Sequence, residues 1–582
     1  MKRLEYNHIK EIEPFIRKYG YNEYNCNIVT LLMWKDLYEF YYEVHEHFLV
    51  GYWQYLGKIR WMMPLCEEKY FKEAMDYILN YSKTHNIKFS LEAVVEPFVN
   101  LLKKYYPEHT FIYRLEENAG DYIYDVSQHA TLKGKKMQKR RNHYNAFIKE
   151  YNGRFEYVPY KKEMKENVLF FLNNWKEEHH HKDDIEEEIK GISQLLDHYD
   201  ELKLFGGVFY IDNKISGFTL ASKLYDNTLQ IHVEKVNRHI RGLYVALLKS
   251  FLNEHLEYHF MNREDDLGLP ELRKAKMDLQ PLYRVIKYAV ELNNIKLIRP
   301  NDTHTNEIKQ LWLECFEDEN TNSTEFYFNH LYHKDYTYAI EYNQHIIAAM
   351  QIKPMKLKVG EKEIDTHFIV GVCTQKMYRG NGLMRIMMEK AIDDHRNDAF
   401  LILQAYNWDI YKTFNFNEKY FHKIAIIKDK FEDITQNVYN FKFGYNTHLM
   451  LESYKRFTSC YEGYCLRDVS YYDEYFIPYH QNENHKTIFV FQDDECLGYI
   501  VYELLEDHIY VHEMTIKNND ALKVILNELL DEIQNIKVRM PIQLNLNSNE
   551  QIIANMAIRY QDETIQKEIE GLSSKLFINE IL

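Results

Sequence analysis

Glycine and proline are scarce, at 20 and 11 of 582 residues, which argues against collagen-like and low-complexity chains. No apolar run approaches the roughly 18 residues that a membrane-crossing helix needs. The N-terminal stretch MKRLEYNHIKEIEPF lacks the apolar segment of a secretory signal. Positive charge is the minority sign: 72 Lys and Arg stand against 88 Asp and Glu, for a net charge of −16. Generic nucleic-acid binding is therefore disfavoured, and any anion site must be a local patch. The seven cysteines are odd in number and scattered, and Cys460 and Cys465 fall outside common zinc spacings. The expectation is a soluble, cytoplasmic, reduced chain with free thiols, no transmembrane anchor and no metal site.

What the chain does have is apolar and aromatic material for several cores: 46% hydrophobic residues, 15% aromatic. At roughly 150 residues per domain, its length suggests about four domains. A repeated grammar supports that number. Segments 204–211, 215–222 and 228–235 read as three strands separated by the turn pairs Asp212-Asn213 and Asp226-Asn227. Arg241-Gly242 follows, then a helix with Leu243, Leu247, Leu248, Phe251 and Leu252 on one face, then a strand at 258–262.

The second half repeats the pattern. Strands at 338–342, 346–352 and 364–374 lead to Arg379-Gly380, a helix with Leu383, Ile386, Met387 and Ala391, and a strand at 400–405. Ile231 precedes Arg241 by ten residues, as Ile369 precedes Arg379. Fainter copies without Arg-Gly occupy 48–94 and 487–533. The reading is an α/β chain of mixed-sheet units, four in tandem, at 1–127, 128–295, 296–432 and 433–582.

Four local features bear on chemistry. In QKMYRGNGLMRIMM (375–388), two glycines before a helix let the backbone turn tightly and aim its amides at one point, a cradle for phosphate beside Arg379. Residues 131–142 hold Lys133, Lys135, Lys136, Lys139, Arg140 and Arg141, with no acid from 126 to 149. The cluster suits tRNA phosphates, CoA phosphates or an anionic headgroup, and a solvated helix face is the alternative. NREDD (262–266) follows a strand, so Glu264 or Asp265 could face a cleft and take a proton from an amine; Arg263 could equally just neutralise its neighbours. EEHHHKDDIEEE (177–188) mixes metal-binding side chains but has no apolar support, and reads as a solvated loop and helix start.

The order strand, RGNG, helix, strand, IYKTFNF (410–416) resembles the GNAT superfamily of acyl-CoA-dependent N-acyltransferases, in the enhanced-intracellular-survival flavour. The resemblance implies GNAT-like units and acetyl-CoA as co-substrate. Its pyrophosphate would lie on Arg379, Gly380, Asn381, Gly382, Leu383 and Met384, and its pantetheine arm along Val372, Cys373 and Thr374. Tyr411 would be the acid that reprotonates the CoA thiolate, although a core tyrosine is the plainer reading in a chain with 50 of them. Met384 replaces the usual Gly or Ala, and Asn415 the usual Gly.

The first half resembles the soluble C-terminal domain of phosphatidylglycerol lysyltransferases through GKKMQKRRNHYNAF (134–147), IHVEKVNRHIRGLY (231–244) and NREDDLGLPELRKAK (262–276). The functional expectation is a bacterial acyltransferase that moves an acyl group from acyl-CoA to a small-molecule amine or peptide, fused to a lysyltransferase-like domain. The alternatives are an aminoacyl-tRNA-dependent transferase acting on a lipid or other acceptor, and a non-catalytic tandem-GNAT binding protein.

Overall fold

A computed structural model describes residues 1–580 other than 178–183, 318–320, 433, 435–437, 547–548 and 573–574. The chain forms two compact units, Met1–Asn293 and Asn294–Leu582. Each unit is mixed α/β, with two copies of one module: an antiparallel three-strand meander, a helix, and a strand returning parallel to the third. A parallel return needs a crossover of about a dozen residues, which the helix supplies.

In the first unit, the meander Glu39–Val44, Phe48–Tyr55 and Lys58–Trp61 leads through the helix Phe71–Thr84 to Ser90–Val95, parallel to Lys58–Trp61. The second copy runs Phe205–Ile211, Lys214–Tyr225, Thr228–Val236, helix Leu243–Asn253, then Phe260–Asn262 parallel to Thr228–Val236. That helix buries Leu243, Leu247, Leu248, Phe251 and Leu252, the face that its spacing marks. In the second unit, Thr337–Tyr342, His345–Val359 and Lys362–Thr374 precede the helix Leu383–Asp394 and the parallel strand Phe400–Leu403. The last copy is Lys486–Gln492, Glu495–Leu504, Ile509–Met514, helix Asn519–Leu530 and Ile536–Pro541.

Within each unit the two modules exchange a strand. The edge of Ser90–Val95 is completed by Lys287–Leu292, whereas Phe260–Asn262 is completed by Tyr122–Asp125. Likewise Phe400–Leu403 takes Asn549–Tyr560, and Ile536–Pro541 takes Asn417–Ile427. Covering an edge satisfies its free amides and carbonyls, and here the neighbouring module does it. Strict tandem order misses this: Tyr122–Asp125 precedes residue 127 yet belongs to the second sheet, and Lys287–Leu292 precedes 295 yet belongs to the first. In the second unit the exchanged strands also pair with each other, so both modules share one sheet. No helix among the described residues is long and apolar enough to cross a membrane.

Candidate functional site

In the second unit, the strands Lys362–Thr374 and Phe400–Leu403 pair at His367↔Leu401, Phe368↔Ile402 and Ile369↔Leu403, and then separate. On its other edge the longer strand stays paired, with Val370 opposite Gln351 and Cys373 opposite Ala349. Its edge toward Phe400–Leu403 is therefore open from Val370 onward. The wedge forms a cleft of about 460 Å³ lined by Val372, Tyr411, Trp312, Phe368, Tyr475 and Tyr479 among others. Gly371 is left-handed (φ +62°), and a Cβ there would lie 2.0 Å from the Trp312 ring. Only glycine lets that indole close the wall.

The open edge leads to residues 379–384. Gly380 and Gly382 are both left-handed (φ +83° and +73°), and Gly382 caps the helix Leu383–Asp394. Asn381 ties down the loop by donating from Nδ2 to the Tyr378 carbonyl, 2.8 Å. The first-turn amides of such a helix have no partner within it and carry the positive end of its dipole. A Cβ at Gly380 would meet nothing within 4 Å, so the approach is clear. Arg379 is exposed, and its Nε donates to the Thr374 carbonyl at 3.2 Å. Cys373 and Leu383 turn their side chains into the core and offer the site only backbone; Val372, Thr374 and Met384 are half-buried.

Tyr411 lies on the helix Trp408–Lys412, whose start is capped by Asn407 Oδ1 accepting from the Asp409 amide, 3.1 Å. Asn415 takes the left-handed turn (φ +62°) for which glycine is the easier residue. The Tyr411 ring meets Phe416 edge-on at 6.4 Å, and burial pushes its phenol up to about 12.

The first unit holds a larger cleft, about 730 Å³, lined by Trp34, Trp175, Arg140, Arg263, Glu264 and Asp265 among others. Glu264 is left-handed (φ +58°), a state uncommon for glutamate and one that clusters at functional sites. Gln230 Nε2 donates to its Oε1 at 2.9 Å. The Tyr24 hydroxyl donates to Asp265 Oδ2 at 3.1 Å, and burial raises the Asp265 carboxyl above its usual range. Burial also pulls the Lys276 ammonium down to about 8.

Residues 18–291 match the sequence family described as phosphatidylglycerol lysyltransferase, C-terminal, and residues 296–418 match the acetyltransferase (GNAT) domain. The chain is similar to lysyltransferases in its first half and to GNAT acetyltransferases in its second. An uncharacterized protein of Mycoplasmoides gallisepticum is 28% identical over 184 residues, which is 31% of this chain and 58% of that protein's length. A protein of unknown function from Bacteroides thetaiotaomicron is 28% identical and has a TM-score of 0.48, covering 50% of this chain and 98% of that one. A probable N-acyltransferase from Enterococcus faecalis is 13% identical with a TM-score of 0.41, covering 47% and 74%.

The two Arg-Gly pairs have different surroundings. In the lysyltransferase-like half, a Cβ on Gly242 would lie 2.4 Å from the His143 carbonyl. The helix Gln138–Tyr151 thus packs where the approach to Gly380 is clear in the GNAT-like half. The basic run also divides. Lys133, Lys135, Lys136 and Lys139 are exposed, Arg141 donates to the Gly134 carbonyl at 2.9 Å, and Arg140 lines the cleft. Arg263 neutralises none of the acids beside it in NREDD: it pairs with Glu234 at 2.7 Å, while Asp266 is held by Arg273 at 2.8 Å. The histidines of EEHHHKDDIEEE lie outside the described residues.

Cys315 escapes sequence reasoning. Cys315 Sγ sits 3.3 Å from the Thr374 carbonyl and 3.8 Å from Arg379, at the cradle, yet lies 64 residues from that arginine with no local motif around it. The neighbouring Cys373 thiol and the Arg379 guanidinium hold its thiol below the usual range. Iodoacetamide at neutral pH should label Cys315 ahead of the other cysteines, because the thiolate is the reactive form. Peptide mass spectrometry checks this; labelling of the exposed Cys460 as fast as Cys315 would contradict it.

Proposed function

We propose that the GNAT-like half transfers an acyl group, acetyl in the simplest case, from acyl-CoA to an amine on a small molecule or peptide. The observation that carries this reading is the open strand edge running from Val370 into the unobstructed turn at Gly380. Amides of residues 380–384 and the charge of Arg379 would receive the pyrophosphate. Val372 to Thr374 offer backbone to the amide-bearing arm, in the manner of strand addition. When the amine attacks the thioester carbonyl, a C–N bond forms and the C–S bond breaks; the amine gives up its proton to solvent and the thiolate departs. Tyr411 stays protonated through the working pH range and donates a hydrogen bond to the departing sulfur.

Gly382→Val tests the cradle. A β-branched residue forced left-handed costs about 1–2 kcal/mol, and relaxation of that strain turns the amides off their common point. Calorimetry should show acetyl-CoA binding weakened by about tenfold or more, since 1.4 kcal/mol is a factor of ten. Unchanged affinity would remove the cradle from the proposal.

A second reading concerns the lysyltransferase-like half. There the turn before the helix is covered, and a separate cleft gathers Arg140, Arg263, Glu264 and Asp265. Those features suit a donor other than CoA, with an aminoacyl-tRNA end as the candidate: Arg140 for phosphate, Glu264 or Asp265 for the amine proton, and the exposed lysines of 133–139 for the tRNA backbone. An increase in melting temperature with charged tRNA that survives Gly382→Val would favour it.

A further inference from the structure

The last module contains three side chains arranged as ligands. His485 immediately precedes the strand Lys486–Gln492, Glu503 lies on Glu495–Leu504, and His512 lies on Ile509–Met514. The pairing Lys486↔Tyr502 brings His485 beside Glu503. The register shift between Val501↔Glu513 and Tyr502↔Val511 makes His512 the extra residue of a bulge, a device that re-aims a side chain. Glu503 Oε2 is 3.3 Å from His512 Nε2 and 3.8 Å from His485 Nε2, and one donor atom from each residue falls within 4.8 Å of the other two. Bonds of about 2.0–2.1 Å in a tetrahedral shell hold ligand atoms roughly 3.3–3.4 Å apart.

We infer that His485, Glu503 and His512 form a binding site for one divalent transition-metal ion, of the two-histidine, one-carboxylate type.

The His485 and His512 rings lie stacked, 4.2 Å between centres and 23° between planes, so the His512 imidazole must turn about its Cβ–Cγ bond to bring both Nε2 atoms onto one ion; the rest of the surroundings fit the assignment. His480 Nδ1 lies 2.7 Å from His485 Nδ1, so the hydrogen bond occupies the far nitrogen and leaves Nε2 facing Glu503. Metal-bound histidines characteristically have such a partner. The side chains are graded in exposure, 5% for His485, 17% for His512 and 34% for Glu503, which leaves one face to solvent for a fourth ligand. The other His and Asp grouping, His367, His395 and Asp398, differs: His367 Nδ1 is 2.6 Å from Asp398 Oδ2, the spacing of a direct hydrogen bond rather than of two ligands on one ion. Through His480 the site also reaches the helix Ile477–Asn482, whose Tyr479 lines the acyl cleft, so a bound ion would brace that wall.

The test uses the full, untagged chain with His179, His180 and His181 changed to Ala, to remove binding by that run. Zinc alone is titrated into metal-free protein by calorimetry, and cobalt is added separately to read visible ligand-field bands. One zinc per chain is expected. His512→Ala and Glu503→Gln, both on the open side where folding is least disturbed, should each weaken zinc by about tenfold or more and abolish the four-coordinate cobalt bands. His395→Ala should leave both readouts unchanged. Failure of the parent to bind zinc, or binding that His512→Ala and Glu503→Gln leave intact, overturns the assignment.

Discussion

Tyr411→Phe is expected to lower turnover by about 10²-fold or more, the scale for losing a hydrogen-bond donor aimed at developing charge, while affinity for acetyl-CoA stays within about twofold. The ring remains to meet Phe416, so the cleft wall keeps its packing, and only the hydroxyl is lost. Because burial holds the phenol near 12, Tyr411 produces no alkaline limb in the rate profile below about pH 10. An unperturbed thiol titrates near 8.5, so complete proton transfer from Tyr411 to the thiolate is uphill, and a hydrogen bond that strengthens as sulfur gains charge is the contribution to expect. Release of CoA can be followed with polyamines and aminoglycosides as trial acceptors. A variant that turns over like the parent, or loses CoA affinity instead of rate, removes Tyr411 from the chemistry.

Lys287→Met should cost about 3–5 kcal/mol of stability, the price of leaving buried carboxylates without their cation. Lys287 is fully buried, 2.5 Å from Asp121 and 3.0 Å from Glu23. It lies on the strand contributed to the first sheet, while Asp121 adjoins the strand contributed to the second. Asp121 also accepts from Asn262 Nδ2 at 2.7 Å and from the Tyr24 amide at 2.9 Å. Burial already outweighs Lys287 and raises the Asp121 carboxyl above its unfolded value of 3.8. Native protein therefore binds this proton more tightly than unfolded chain does, and stability falls as pH rises through the raised value. Without Lys287 the carboxyl rises further, so the deficit is small near pH 4 and full above neutrality. Urea denaturation at pH 5 and pH 8 checks both size and sign; an equal loss at the two pH values would refute the assignment. The triple variant Lys287→Met, Asp121→Asn, Glu23→Gln should recover part of the loss, because it leaves no unpaired charge.

The modules were legible because their signals are local. Asp212-Asn213 and Asn343-Gln344 are left-handed pairs that close hairpins, and alternating apolar residues flank them. The RGNG turn and the face of the helix behind it are likewise contiguous. The strand exchange was not legible, since nothing in Tyr122–Asp125 or Lys287–Leu292 specifies which distant edge each will join. Lys135 and Arg140 look alike in a basic run, yet one stays in solvent and the other turns into a cleft. Arg241-Gly242 and Arg379-Gly380 look alike too; what separates them is the helix Gln138–Tyr151, a hundred residues upstream of the turn it covers. Trp312 and Cys315 reach the cleft of the second unit and the turn beside Arg379 from a helix whose own pattern declares only a core face.

The exchanged strands also set a timetable for synthesis. Ser90–Val95 leaves the ribosome about 190 residues before Lys287–Leu292, the strand that completes its sheet. At about 5–20 residues per second, that edge stays bare for roughly 10–40 s. Phe400–Leu403 waits in the same way for Asn549–Tyr560, close to the end of the second unit. A bare edge is a template for pairing with another chain, so crowded polysomes carry the greatest risk of misassembly. Neither unit can be banked module by module during translation; each must be almost wholly made before its sheets can close.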